Sequence, residues 1–355
     1  MWENCRCDNK LNENEPSQTP NGKRNESKLN EPEDNDGSLS IIQDKSTFWK
    51  NKWVHYVIWL IITILISVLL LRSSILNTNN HSEEAIVVDS VLTVAVDSVE
   101  FKMIMVEGGT FMMGAQSDDS SGDNYDREAK PNESPVHNVT LDSYYIGETE
   151  VTQALWKAVM GTEPSEKRGW IPQWGRGYDY PAYRVSWYDV RDFILKLNQK
   201  TKKEFRLPTE EEWEYAARGG HKRSRYKYAG NNSISDVAWY WINSGNNRLS
   251  GSYNTDTIYK NNCKTHSVKY MNPNELGLYD MSGNVWEWCQ NGYYEYYAGL
   301  ASSSSNTIHA LRGGSWFDDA WTCRVSNRWY QPDTIKYTSV GFRLLLPLET
   351  SPERP

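Results

Sequence analysis

Leu311-Arg-Gly-Gly-Ser-Trp-Phe-Asp-Asp-Ala-Trp-Thr-Cys323 is the stretch on which the reading of this chain turns. It holds two candidate nucleophiles, Ser315 and Cys323, with two carboxylates, Asp318 and Asp319, between them. Ser315 has no evident His-Asp partners in the sequence, so a hydrolase triad is not indicated. A lone thiol can still oxidise to a sulfenic acid or form a mixed disulfide with a peptide thiol. It makes a poor copper site, because soft Cu(I) selects thiolates and Cys323 has only a hard carboxylate as its neighbour.

Four blocks precede this one in order: Gly108-Gly-Thr-Phe-Met-Met-Gly114, Tyr144-Tyr-Ile-Gly-Glu-Thr-Glu-Val-Thr152, Arg206-Leu-Pro-Thr-Glu-Glu-Glu-Trp-Glu-Tyr-Ala-Ala-Arg218 and Gly283-Asn-Val-Trp-Glu-Trp288. Arg312-Gly-Gly-Ser-Trp316 follows, and then Gly341-Phe-Arg343. Over residues 103–346 this set, in this order and spacing, resembles the formylglycine-generating enzyme, or sulfatase-modifying factor, family. The resemblance implies a loop-rich α+β domain related to C-type lectin folds. It also implies an active site in which two thiols, five residues apart, hold a copper ion that activates oxygen. The first of those positions is Asp318 here and the second is Cys323, with Ser315 and Trp286 at other family active-site positions. Copper binding is therefore not expected.

Asp280-Met-Ser-Gly283-Asn-Val285-Trp-Glu287 is a better metal candidate. Two carboxylates seven residues apart, with the Gly283 and Val285 carbonyls turned inward by a tight loop, would offer the hard oxygens that Ca²⁺ takes. The matching family positions bind structural calcium, so calcium is expected at Asp280, Gly283, Val285 and Glu287. A second family calcium site would fall near residues 231–239, without ligands that can be named. The six histidines are scattered and show no metal spacing. Gly108–Gly114 lacks the Lys-Ser/Thr ending of a phosphate loop and reads as strand-turn-strand.

Composition divides the 355 residues. Residues 1–48 are rich in Asn, Glu, Ser, Pro and Lys and read as a disordered tail, unable to bury enough apolar surface to offset the entropy of ordering. Within residues 49–72, Trp53 to Leu71 is an almost unbroken apolar run, about 28 Å long as a helix, enough to cross a bilayer once. It starts too late and runs too long for a cleaved signal peptide. Lys45, Lys50 and Lys52 precede the run and only Arg72 follows closely. The tail is then cytoplasmic and the C-terminal domain extracytoplasmic, on the periplasmic side of a bacterial inner membrane. Residues 73–100 read as a polar and then β-rich stalk, residues 101–348 as the domain, and 349–355 as a short tail.

Cys5 and Cys7 fall in the cytoplasmic tail, in a spacing that does not suit zinc. Cys263, Cys289 and Cys323 fall in the oxidising compartment, where an odd count leaves one thiol over. In the fold that the resemblance implies, Cys289 lies near the Gly-Gly-Ser segment, so a Cys289–Cys323 disulfide is expected. The alternative leaves Cys323 as a free thiolate.

Three helices are legible. Thr152 caps 153–160, stopped by Gly161. Ser186 caps 187–198, with Val190, Phe193, Ile194 and Leu197 on one face. Thr209 and Glu212 form a capping box ahead of 213–218. The 16 Trp and 22 Tyr suit an irregular backbone, because large rings bury much apolar area while their polar tips satisfy loop carbonyls.

Two functions remain. One is a non-catalytic binding or scaffold protein, held together by calcium, whose loops present Asp318, Asp319, Trp321, Arg324, Trp329 and Tyr330 to an exported protein or a glycan. The other is an oxidoreductase that converts a cysteine of exported sulfatases to formylglycine. The broken thiol pair favours the first. A net charge of −8 argues against nucleic acid.

Overall fold

The computed structural model describes residues 52–78, 89–164, 169–222, 225–293 and 307–348. The chain forms two units, Met1–Ala85 and Ile86–Pro355. The tail assigned to residues 1–48, with Cys5 and Cys7, lies outside the described residues, as does the segment 349–355.

The first unit contains helix α1, Lys52–Thr78. Its large apolar side chains stand exposed on every side, from Trp53 and Trp59 through Leu65 to Leu71. Among the residues described in full, no helix is long and apolar enough to cross a membrane.

The second unit is a mixed α/β fold. Its first sheet orders β1 (Val91–Val96), β2 (Val99–Val106), β5 (Tyr144–Gly147) and β10 (Leu345–Pro347), all antiparallel. Val91–Val96, expected in a stalk, is therefore a structural strand of the domain. Its inward residues Val94 and Val96 are buried in the main core. β3 (Gly109–Met113) pairs with β4 (His137–Leu141), so the block at 108–114 supplies one strand to a long-range pair. The third sheet orders β8 (Trp329–Pro332), β7 (Ile308–Arg312), β6 (Trp286–Gly292) and β9 (Val340–Gly341). β6 and β9 run parallel.

The legible helices form where their caps place them. α2 (Gln153–Met160) starts at Thr152, whose hydroxyl accepts from Leu155 N–H at 3.2 Å, and ends at Gly161 with φ 78°. α3 (Trp187–Thr201) is capped by Ser186 and runs three residues beyond the expected end. Lys202 supplies its left-handed stop, while the Asn198 side chain pairs with the backbone of Phe205. α4 (Glu210–Ala217) has the Thr209–Glu212 capping box. Two short helices follow, α5 (Ile234–Val237) and α6 (Thr255–Lys260). Packing of α2 and α3 centres on Trp156, stacked on Phe193 at 5.2 Å and set edge-on to Phe342.

Candidate functional site

β6 carries Trp286, Glu287 and Trp288 out of a tight turn at Gly283. Gly283 has φ 81°, and a Cβ there would lie 2.3 Å from the Trp239 carbonyl oxygen, so only glycine fits. The turn delivers Asp280 and Glu287 into the interior, both under 4 % exposed, beside Glu150, which is equally buried. A guanidinium sits among them. Arg343 donates through Nε and Nη2 to both oxygens of Glu287, at 2.7–3.1 Å, and to the carbonyls of Gly147 and Tyr279 at 2.8 Å. Trp213 Nε1 donates to Glu287 Oε2 at 2.7 Å. Glu150 accepts from Val285 N–H at 3.0 Å and from the Asn284 amide at 2.7 Å.

This arrangement does not fit a calcium ion at the four expected ligands. Both oxygens of Glu287 are committed to Arg343 and Trp213, and the positive charge at the centre belongs to the chain itself. Among the described residues, no three His, Cys, Asp or Glu are grouped to hold a metal. One arginine faces three carboxylates, and the excess shows. Burial pushes the Asp280 carboxyl up to about 6, against the pull of the Lys269 N–H bond and Arg343. Burial, with the charges of Asp280 and Glu287, raises Glu150 as well. Asp280 Oδ1 is buried without a hydrogen-bond partner.

The Gly-Gly-Ser segment lies next to this cluster, Gly283 N–H donating to the Gly313 carbonyl at 2.8 Å. Here the structure brings together Ser315, Trp286, Asp318 and Cys323. Asp318 Oδ2 accepts from the Ser315 hydroxyl in a very short contact and from Trp286 Nε1 at 2.9 Å. Burial raises this carboxyl to about 6 while the Ser315 and Trp286 bonds hold it down. Cys323 is fully buried beneath Gly314, where an added Cβ would lie 2.6 Å from its sulfur. Burial, and then the Asp318 charge, push the Cys323 thiol well above its ordinary range. A thiol held protonated is neither a nucleophile nor a soft-metal ligand.

The expected Cys289–Cys323 disulfide is not formed, and Cys263, Cys289 and Cys323 are all free and buried. Cys289 packs with Ala310 and Val325, whereas Cys323 packs with Tyr228 and Trp316 in a different cluster. Arg324 also departs from expectation. It is fully buried, held by both oxygens of Glu133 at 2.6 and 2.8 Å and by Asp126 at 3.1 Å, and it offers nothing to a ligand. Trp321, Trp329 and Tyr330 are 37–45 % exposed and do face solvent. Asp319 is partly buried, and its carboxyl is raised by burial against hydrogen bonds from Trp241 and Trp321.

Sequence reasoning missed the buried ion pairs. Arg312 pairs with Glu214, Arg328 with Glu210, Arg324 with Glu133 and Arg343 with Glu287, each almost completely buried on both sides. A signal was present: Arg343 stands in Phe342-Arg-Leu-Leu-Leu346, and Glu287 stands between two tryptophans. A single charge in an apolar, buried stretch is tolerated only with an opposite charge beside it.

The profile of the sulfatase-modifying factor enzyme 1-like domain matches residues 93–347. The chain belongs to this family. It is 34% identical over 262 residues to the chaperone protein LppX of Paenibacillus barcinonensis, covering 64% of this chain and 83% of LppX. It is 28% identical over 292 residues to the formylglycine-generating enzyme of Streptomyces coelicolor, covering 68% and 87%. Among solved structures, Treponema denticola variable protein 1 superposes with a TM-score of 0.57 at 31% identity, over 73% of this chain and all of that one. The family thus includes both formylglycine-generating enzymes and proteins named for other roles.

Proposed function

We propose that this protein is a non-catalytic binding or scaffold member of the family, anchored by α1 with its C-terminal domain outside the cytoplasm. One observation carries the first part: Asp318, at the position of the first reactive thiol, closes a hydrogen-bonded unit with Ser315 and Trp286. Its carboxylate is occupied within the fold, and the remaining thiol lies buried and protonated behind it. Soft-metal binding has lost a ligand and oxygen activation its metal. The ligand surface is the exposed set Trp321, Trp329 and Tyr330, with Tyr330 stacked on Tyr293 at 4.5 Å and Asp319 two residues before Trp321. Its ligand is an exported protein or a glycan.

The anchor rests on the apolar sequence run Trp53–Leu71 together with the basic residues Lys45, Lys50 and Lys52 before it. The second reading, a formylglycine-generating oxidoreductase, is favoured by the convergence of Ser315, Trp286 and Cys323. Incubating the full chain with a Cys-x-Pro-x-Arg peptide, copper and oxygen separates the two. Mass spectrometry should find the cysteine unchanged, and formylglycine at that position would establish an enzyme.

A further inference from the structure

β1 ends the first sheet, and no described strand pairs with its outer side. The bond from Met105 N–H to the Ser90 carbonyl, with the register Val91↔Ile104 to Val96↔Val99, sets which groups face where. Ser90, Leu92, Val94 and Val96 exchange bonds with β2. Val91, Thr93 and Ala95 direct their N–H and C=O groups away from the sheet. The same three residues have exposed side chains, while Val94 and Val96 anchor the strand in the core. The strand is thus firmly held from one side, and among the described residues no strand lies along the other.

Proteins protect such edges with charges, prolines, bulges or short strands. Val91-Leu-Thr-Val-Ala-Val96 has none of these over six residues. Acidic residues flank it instead: exposed Asp89 precedes it, and Asp97, still 66% exposed although 3.6 Å from Lys200 Nζ, follows it. Thr93 also walls a cavity of about 300 Å³ with Glu100, Lys102, Glu148 and Lys269 along it.

We propose that the free edge of β1 is a strand-addition site for an extended segment of a partner protein, uncharged over its centre and basic at its ends. Charge decides the occupant. A second copy of β1, laid antiparallel and centred on Thr93, would set Asp89 opposite Asp97 at both ends, and like charges directly opposite disfavour pairing. Lysine or arginine at the ends of an incoming strand meets those carboxylates favourably. Main-chain bonds to Val91, Thr93 and Ala95 supply the affinity, and the side chains of the added strand supply selectivity. The site stands apart from Asp318 and Cys323, so it holds whether or not that region is catalytic.

The test uses the full chain in nanodiscs and a fluorescent peptide, Lys-Val-Thr-Val-Thr-Val-Lys, with an Asp-flanked version as control. Anisotropy should show saturable binding of the Lys-flanked peptide, at least tenfold tighter than of the control. Thr93→Pro removes one outward N–H without touching a bond to β2, and it should weaken binding at least tenfold. Hydrogen exchange on the unsubstituted chain removes any dependence on how that variant folds. Amides of Val91, Thr93 and Ala95 should exchange fast alone and slowly with peptide, while Leu92, Val94 and Val96 stay protected throughout. No peptide binding, unchanged exchange at the three amides, or a dimer of the full chain that protects them without peptide would each overturn the proposal.

Discussion

Replacing Asp280 with asparagine should make the domain more stable at neutral and alkaline pH. The buried carboxyl titrates at about 6 in the folded protein against 3.8 when unperturbed, because burial opposes its charge. The folded state therefore holds its proton more tightly than the unfolded state. Ionising Asp280 costs native stability progressively between about pH 4 and pH 6, and the whole cost is present above that window. A gap of about two pH units amounts to about 3 kcal/mol. Asparagine is neutral throughout, and its oxygen can still accept the Lys269 N–H that Asp280 Oδ2 now accepts at 2.8 Å. Urea unfolding followed by tryptophan fluorescence at pH 4, 6 and 8, with and without EDTA, gives the comparison. The Asp280→Asn protein should match the parent at pH 4 and exceed it by up to about 3 kcal/mol at pH 8. EDTA should shift neither curve. Destabilisation of the variant at pH 8, together with loss of parent stability on chelation, would show that Asp280 ligates a cation and that Arg343 is not its substitute.

Arg343→Met leaves Glu287 buried without its charge partner and should cost about 3–5 kcal/mol in the same unfolding assay, with Glu287→Gln in the same chain recovering part of the loss. Alkylation of denatured, unreduced protein followed by peptide mapping should label Cys263, Cys289 and Cys323 fully, and an unlabelled pair would restore the disulfide. Protease added to intact spheroplasts should digest the C-terminal domain, whereas its survival would reverse the proposed orientation.

Local structure was the legible part of this fold. Thr152, Ser186 and Thr209 each satisfy helix N–H groups within three residues, so a cap can be read without knowing what the helix packs against. The convergence of Ser315, Trp286, Asp318 and Cys323 was legible too, but only through family resemblance. The centre of the site was not. Glu287 was read as a calcium ligand because sequence shows a carboxylate and a tight turn, while the guanidinium that occupies it arrives from 56 residues away. Arg324 was read as a surface anchor because charges are usually solvated, and its partner Glu133 lies 191 residues earlier. The stalk was misread for a related reason: Val91–Val96 looks like any exposed β-forming segment until β2 and the core behind it are known.

The order of the buried ion pairs along the chain bears on synthesis. Glu133, Glu210, Glu214 and Glu287 all precede residue 312, and the arginines that neutralise them, Arg312, Arg324, Arg328 and Arg343, all come after 311. A domain emerging N-terminus first thus exposes Glu133, Glu210 and Glu287 before any of their counter-charges has appeared, while Glu214 has only Arg218, 2.8 Å away and four residues on. It cannot close its core early around a partial chain, since sealing those carboxylates unpaired is strongly unfavourable. The final segment therefore completes the core, and a product truncated ahead of it should stay open to proteases.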